Sequence, residues 1–214
     1  MESTENNKIK LSSHSKLERK DMSEAGIELS RKNDGFDELE PGAHFAHVFE
    51  SNSDKQKKIF SLCSNCIGRK NAYLLYIAGK QGVKGIRLSL KDVGFDVASY
   101  ERNAQFKIVD SEQWYLNSGR QTSFKSFDEI YSEVREVSNI AAKGNFSMAV
   151  VISETDMLVR KGHYAAYREL DTRLAQKLRD LNIGLVCVFD KRELQAAGIP
   201  NALGEVSGYH SALI

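Results

Sequence analysis

The turn after the first apolar strand of this chain contains no glycine. Residues Ala43 to Glu50 read as a β-strand and Asp54 to Arg69 as the helix that follows, with Ser51-Asn52-Ser53 between them. An α/β protein that grips nucleotide phosphates carries G-x-x-x-x-G-K-[ST] at this place. Its bare backbone amides wrap the phosphates while a lysine reaches in. Here a side chain at every turn position holds the backbone away from a phosphate. Lys55, Lys57 and Lys58 follow, but no Gly-Lys-Ser/Thr does. The chain has the layout of a phosphate-loop domain without the loop, so no nucleotide cofactor is expected.

Other absences narrow the reading further. No apolar run approaches the roughly 18 residues of a membrane span. The N-terminus Met-Glu-Ser-Thr-Glu-Asn-Asn has neither the basic start nor the apolar stretch of a secretion signal. Three cysteines, an odd number in 214 residues, do not suggest a disulfide framework, and a reduced, cytoplasmic setting is expected. A net charge of +1 gives no field that would draw the chain onto nucleic acid or a membrane surface. No G-x-S-x-G elbow supports Ser-His-Asp catalysis. The basic stretches Lys55-Gln56-Lys57-Lys58 and Arg69-Lys70 lack the interleaved aromatics of a single-strand binder.

What is present divides at Pro41-Gly42. Residues 1–40 hold ten acidic and seven basic side chains with no sustained helical stripe. They are expected to form a polar, disordered arm, with a helix near Lys16–Leu29 as an alternative. Residues 41–214 alternate strand-length apolar runs with longer amphipathic stretches. Strands are expected at Phe45–Glu50, Ala72–Ala78, Phe106–Asp110, Met148–Ser153 and Gly184–Phe189. Helices are expected at Asp54–Arg69, Gly82–Val93, Phe127–Lys143, His163–Leu181 and Lys191–Ala197. Phe95–Tyr100 reads as a short edge strand, and Gly94, Gly144 and Gly184 as helix stops. The runs Tyr73–Ala78 and Leu185–Phe189 are apolar throughout, as suits strands buried on both faces. This pattern predicts one three-layer α/β/α domain around a mostly parallel sheet.

In such a sheet, ligands bind outside the carboxyl ends of the strands. Those ends carry Glu50, Gly79, Asp110, Glu154, Asp156 and Asp190, an acidic rim that would oppose a polyphosphate. Capping of the next helix is the structural alternative for these acids. Glu50 is the leading contact candidate, because it stands where the phosphate loop would begin. His44 and His47, three residues apart on a strand, project to opposite faces and do not share an ion. Cys63-x-x-Cys66 falls near a helix end and has no second pair, so the two are expected to pack as small apolar groups. Cys187 lies in a buried strand. No metal site is expected. Trp114 and Tyr115 offer either a core anchor or an aromatic wall to a pocket.

From about Ala43 to His210 the chain resembles the MEDS family, the sensory domain of methanogen and methylotroph proteins. The resemblance rests on short stretches in order. These are His44–Ser51, Asn71–Ala78, Gly94-Phe95-Asp96-Val97, Trp114-Tyr115-Leu116 with Gly119, Phe127-Asp128, Val151–Glu154 and Leu185–Asp190. It implies an archaeal or bacterial protein with a RecA- or KaiC-like core that has lost the nucleotide loop. It also implies a role in sensing small organic molecules, proposed to be hydrocarbon derivatives. Three positions depart from the family pattern: Val150 stands for an arginine, Met157 for a tryptophan, and Tyr167-Arg168 for a tyrosine-glutamate pair. No kinase or helix-turn-helix segment is expected beside the domain, so its output is expected to pass to a separate partner. The expectation is a stand-alone, non-enzymatic sensory module, with a homodimer as one arrangement, that binds a small organic ligand and acts on a separate histidine kinase or transcription regulator. Its ligand site would involve His44, Glu50, Trp114, Tyr115, Glu154 and Asp190. The alternatives are a degenerate KaiC-like ATPase, in which Glu154 or Asp156 holds magnesium, and an interaction scaffold docking through the arm.

Overall fold

The computed structural model describes residues 39–118, 123–199, 202–208, 210 and 212–213. The arm expected over residues 1–40 lies outside the described residues except for its last two. Of these, Leu39 is buried against Gly184.

Strand β1 (His44–Phe49) leads into helix α1 (Asn52–Ser64), which ends in a π-helical turn over Asn65–Arg69. There follow β2 (Tyr73–Ala78), α2 (Gly82–Asp92), α3 (Val97–Arg102) and β3 (Phe106–Asp110). Next come α4 (Ser111–Tyr115), α5 (Phe127–Lys143), β4 (Ala149–Glu154), α6 (Asp156–Arg160) and α7 (Tyr164–Ala175). The described chain closes with β5 (Ile183–Asp190), α8 (Lys191–Ala196), α9 (Ala202–Ser207) and β6 (Ala212–Leu213).

The strands pair in the order β3-β2-β4-β5-β1-β6, and every pairing is parallel. The four central strands are nearly all apolar because helices cover both faces. Alternate residues divide between two cores, following the strand's period of two. Leu75 and Ile77 of β2, with Cys187 and Phe189 of β5, pack against α5 and α7 through Ile130, Val134, Tyr167 and Leu170. Leu74 and Tyr76, with Val186 and Val188, pack against α1, α2 and α3 through Ile59, Leu62, Ile86 and Val97. The result is the three-layer α/β/α domain that the sequence pattern predicts.

Three local expectations are corrected. Residues 97–102 form helix α3, not an edge strand, because the Asp96 carboxylate accepts the Ser99 amide at 3.1 Å and caps a helical turn. Gly184 lies within β5 and is not a helix stop. A Cβ there would stand 3.0 Å from Leu39 Cδ1 and 3.1 Å from Met148 Cε, so a larger residue would press on both side chains. Gly94 does end its helix, in the left-handed region at φ 87°. Helix α7 stops at Ala175, short of the expected Leu181.

The order of the strands also fixes where a crevice opens. The chain leaves β2 for β3 on one side and leaves β4 for β5 on the other. The switch point therefore lies between the carboxyl ends of β2 and β4.

Candidate functional site

The turn at the end of β1 is only Glu50 and Ser51. Ser51 is the N-cap of α1, with its Oγ accepting the Asp54 amide at 3.1 Å, and its carbonyl accepts the Lys55 amide at 3.1 Å. Two of the amides that would face a phosphate are thus used within the helix's first turn.

The lysine that follows is turned inward. Lys55 is 3 % exposed, its Nζ lying 2.9 Å from Glu154 Oε1 and 3.2 Å from Gln81 Oε1. It also sits 5.2 Å from the centroid of the Phe49 ring. Glu154, at the end of β4, is buried and gathers donors from three elements. Beside Lys55, the Tyr76 hydroxyl donates to Oε1 at 2.5 Å and the Gly79 amide donates to Oε2 at 3.0 Å. Burial, then the neighbouring Glu154 charge, pushes the Tyr76 hydroxyl well above its ordinary pKa, so it remains a donor. A void of about 10 Å³ beside Lys55 and Tyr76 has room for about one water.

Gly79 permits this arrangement by its size. A Cβ there would stand 1.9 Å from Asp156 Oδ1 and 3.0 Å from Glu154 Cβ. Asp156 accepts the Lys80 amide at 3.1 Å and the Met157 amide at 2.8 Å. Burial, then the charge of Glu154, raises its carboxyl above the ordinary value.

On the outer side of this buried network, at the switch point, lies a half-open crevice of about 440 Å³. Gly79, Lys80 and Gly82 line it from the end of β2, Asp110, Ser111 and Glu112 from the end of β3, and Met157, Arg160 and Lys161 from α6. Its cations are paired: Lys80 and Arg160 with Glu193, and Lys161 with Glu112.

The six residues expected at a ligand site do not converge. Glu50 is exposed and paired with Lys191 at 2.5 Å, and this hydrogen bond holds its carboxyl below the usual range. Asp190 caps α8 through the Arg192 amide. Burial alone would raise its carboxyl, but the hydrogen bonds from Arg192 outweigh that and lower it. Asp110 likewise caps α4. Tyr115 is buried, its hydroxyl 2.7 Å from Ser153 Oγ, and Trp114 packs half-buried on the same core. Glu154 is enclosed by its own donors. His44 stands on the other face of the sheet with Asp171, Cys187 and His210. His47 faces away from it, toward Asp54, as the strand period requires. Cys63 and Cys66 are buried free thiols, and burial pushes Cys66 up to about 12.

Sequence reasoning missed Lys55, Tyr76 and the crevice residues on α4 and α6. The one legible signal was a lysine placed where a loop-borne lysine would stand. The pairing of Lys55 with Glu154 depends on strand order, which the sequence does not print.

The MEDS model (methanogen/methylotroph, DcmR sensory domain) matches residues 43–205, and the chain belongs to that family. Comparison with curated proteins gives no match. Among solved structures, a KaiC-like protein of the hyperthermophilic archaeon Pyrococcus horikoshii OT3 is similar at 15 % identity and a TM-score of 0.49. The similarity covers 72 % of this chain and 66 % of that one. No described helix is long and apolar enough to cross a membrane.

Proposed function

We propose that this MEDS-family chain is a non-enzymatic sensory module that binds a small polar organic molecule in the crevice between the ends of β2 and β4. The observation that carries this reading is the Lys55–Glu154 pair beneath a two-residue turn. A lysine and an acid that would serve a triphosphate and its magnesium serve each other, so the site is closed to both. The neighbouring crevice remains open, and apart from Gly79, Gly82 and Met157 its lining side chains are charged or carry a hydroxyl. Such a lining suits a ligand carrying hydrogen-bonding or charged groups better than a bare hydrocarbon.

The loops after β2, β3 and β4 supply the lining, so a ligand contacts three elements at once. Binding alters output to the extent that it favours one arrangement of these loops. In this reading the output passes to a separate histidine kinase or transcription regulator.

Native mass spectrometry of the full chain purified from its own host tests the reading. A bound small molecule is expected, and it should be lost from Glu112→Trp, whose indole fills the crevice mouth. A molecule retained by that variant would place the ligand elsewhere.

A further inference from the structure

Four donor side chains meet on the face of the sheet opposite Lys55. His44 comes from the start of β1, Asp171 from α7, Cys187 from the middle of β5 and His210 from the segment after α9. One ligand atom from each lies within 4.8 Å of all the others. We propose that this cluster is a structural zinc site, with Zn²⁺ held by His44 Nε2, the Asp171 carboxylate, Cys187 Sγ and His210 Nε2.

The spacings carry the argument. Zinc bonds of about 2.0–2.1 Å to nitrogen and oxygen and about 2.3 Å to sulfur set tetrahedral edges of roughly 3.3 Å between N or O donors and roughly 3.6 Å to sulfur. Here His44 Nε2 lies 3.1 Å from Asp171 Oδ1, and Cys187 Sγ lies 3.5 Å from His44 Nε2 and 3.4 Å from Asp171 Oδ1. His210 Nε2 lies 3.4 Å from Asp171 Oδ2. His44 Nε2, Asp171 Oδ1 and Cys187 Sγ are thus set at the edge lengths of one face of a tetrahedron, and His210 Nε2 stands beside the other Asp171 oxygen, within 4.8 Å of the rest, as the fourth donor to draw in on an ion.

The surroundings suit a bound cation. His210 Nδ1 lies 2.7 Å from the Val206 carbonyl, a contact that fixes the ring and turns Nε2 to the centre. The Tyr167 hydroxyl donates to Cys187 Sγ at 3.0 Å, a contact that supports a thiolate. Asp171 is 1 % exposed, and its Oδ2 accepts no hydrogen bond among the described residues. On binding, the Cys187 thiol releases its proton to solvent. One thiolate and one carboxylate then balance the two charges of zinc, so the buried centre is neutral. Two nitrogens, one sulfur and one oxygen are zinc's own donor set. Four protein ligands leave no open position, so the ion braces the fold, tying the segment before β6 to β1, β5 and α7.

The test uses the full chain carrying Cys63→Ala and Cys66→Ala, so that Cys187 is the only thiol. After stripping and reloading, about one zinc per chain is expected. Loading with cobalt(II) should give the intense visible absorption of a tetrahedral centre and a near-ultraviolet thiolate-to-cobalt band, both abolished by equimolar zinc. Cys187→Ser should lose the thiolate band and bind zinc about tenfold or more weakly. No retained zinc, a weak octahedral cobalt spectrum, or a thiolate band that persists in Cys187→Ser would each overturn the proposal. If Cys187→Ser does not fold, the cobalt spectrum of its parent decides alone. None of these readouts depends on the crevice or its ligand.

Discussion

Lys55 Nζ and Glu154 Oε1 are 2.9 Å apart, and each side chain is all but closed to water. Removing one partner of a buried pair leaves the other charge uncompensated, at a cost of about 3–5 kcal/mol. Lys55→Met should therefore destabilise the domain by that amount in urea unfolding. Lys55→Met with Glu154→Gln should recover much of the loss, because the amide carries no charge while its carbonyl still accepts from Tyr76. A single Lys55→Met within about 1 kcal/mol of the parent would show that the pair carries no such weight.

Gly79 is where the network and the crevice meet. Gly79→Ala drives a methyl group onto the Asp156 carboxylate and should cost about 1–3 kcal/mol, as overpacking does. Gly82→Ala meets no atom within 4 Å but has φ 65°. It should cost about 1 kcal/mol through backbone strain alone. Thermal unfolding of the two variants separates a steric cause from a conformational one.

Tyr115 belongs to the core. Tyr115→Phe removes the hydroxyl 2.7 Å from Ser153 Oγ, leaves that oxygen buried without this partner, and should cost about 1–3 kcal/mol. The same substitution should leave the crevice and its ligand unaffected, as native mass spectrometry can check.

Asp156 provides a pH dependence of determinate sign. Its carboxyl is raised in the folded state, first by burial and then by Glu154. The folded chain thus holds that proton more tightly than the unfolded chain. The associated stability is full below the ordinary aspartate pKa and is lost as pH rises through the raised value. Asp156→Asn keeps the Oδ1 acceptor for the Lys80 and Met157 amides and removes the charge. The variant should gain on the parent near neutral pH, with the gain shrinking as pH falls toward 4. Urea titrations at several pH values would show an equal difference throughout if the shift were absent.

The frame of the fold was legible because its signals are local. Uniformly apolar stretches such as Tyr73–Ala78 mark strands covered on both faces, and the amphipathic run Phe127–Lys143 marks a helix to the residue. The site was much less legible, because its contacts are set by strand order. Glu154 meets Lys55 across 99 residues, and His44 meets Cys187 across 143. The strand period did separate His44 from His47, but it gave no hint that His44 would find Asp171, Cys187 and His210. The strand-end acids are ambiguous in sequence for a related reason. A carboxylate at a carboxyl edge caps the next helix as readily as it meets a ligand, and Asp110 and Asp190 do the former.

Calorimetric titration of the full chain with magnesium-ATP tests most directly whether Lys55 and Glu154 have closed the triphosphate position. No saturable heat is expected at millimolar nucleotide. A micromolar binding isotherm, weakened by Lys55→Met, would mean that the lysine releases Glu154 to grip a phosphate, and the account would fail.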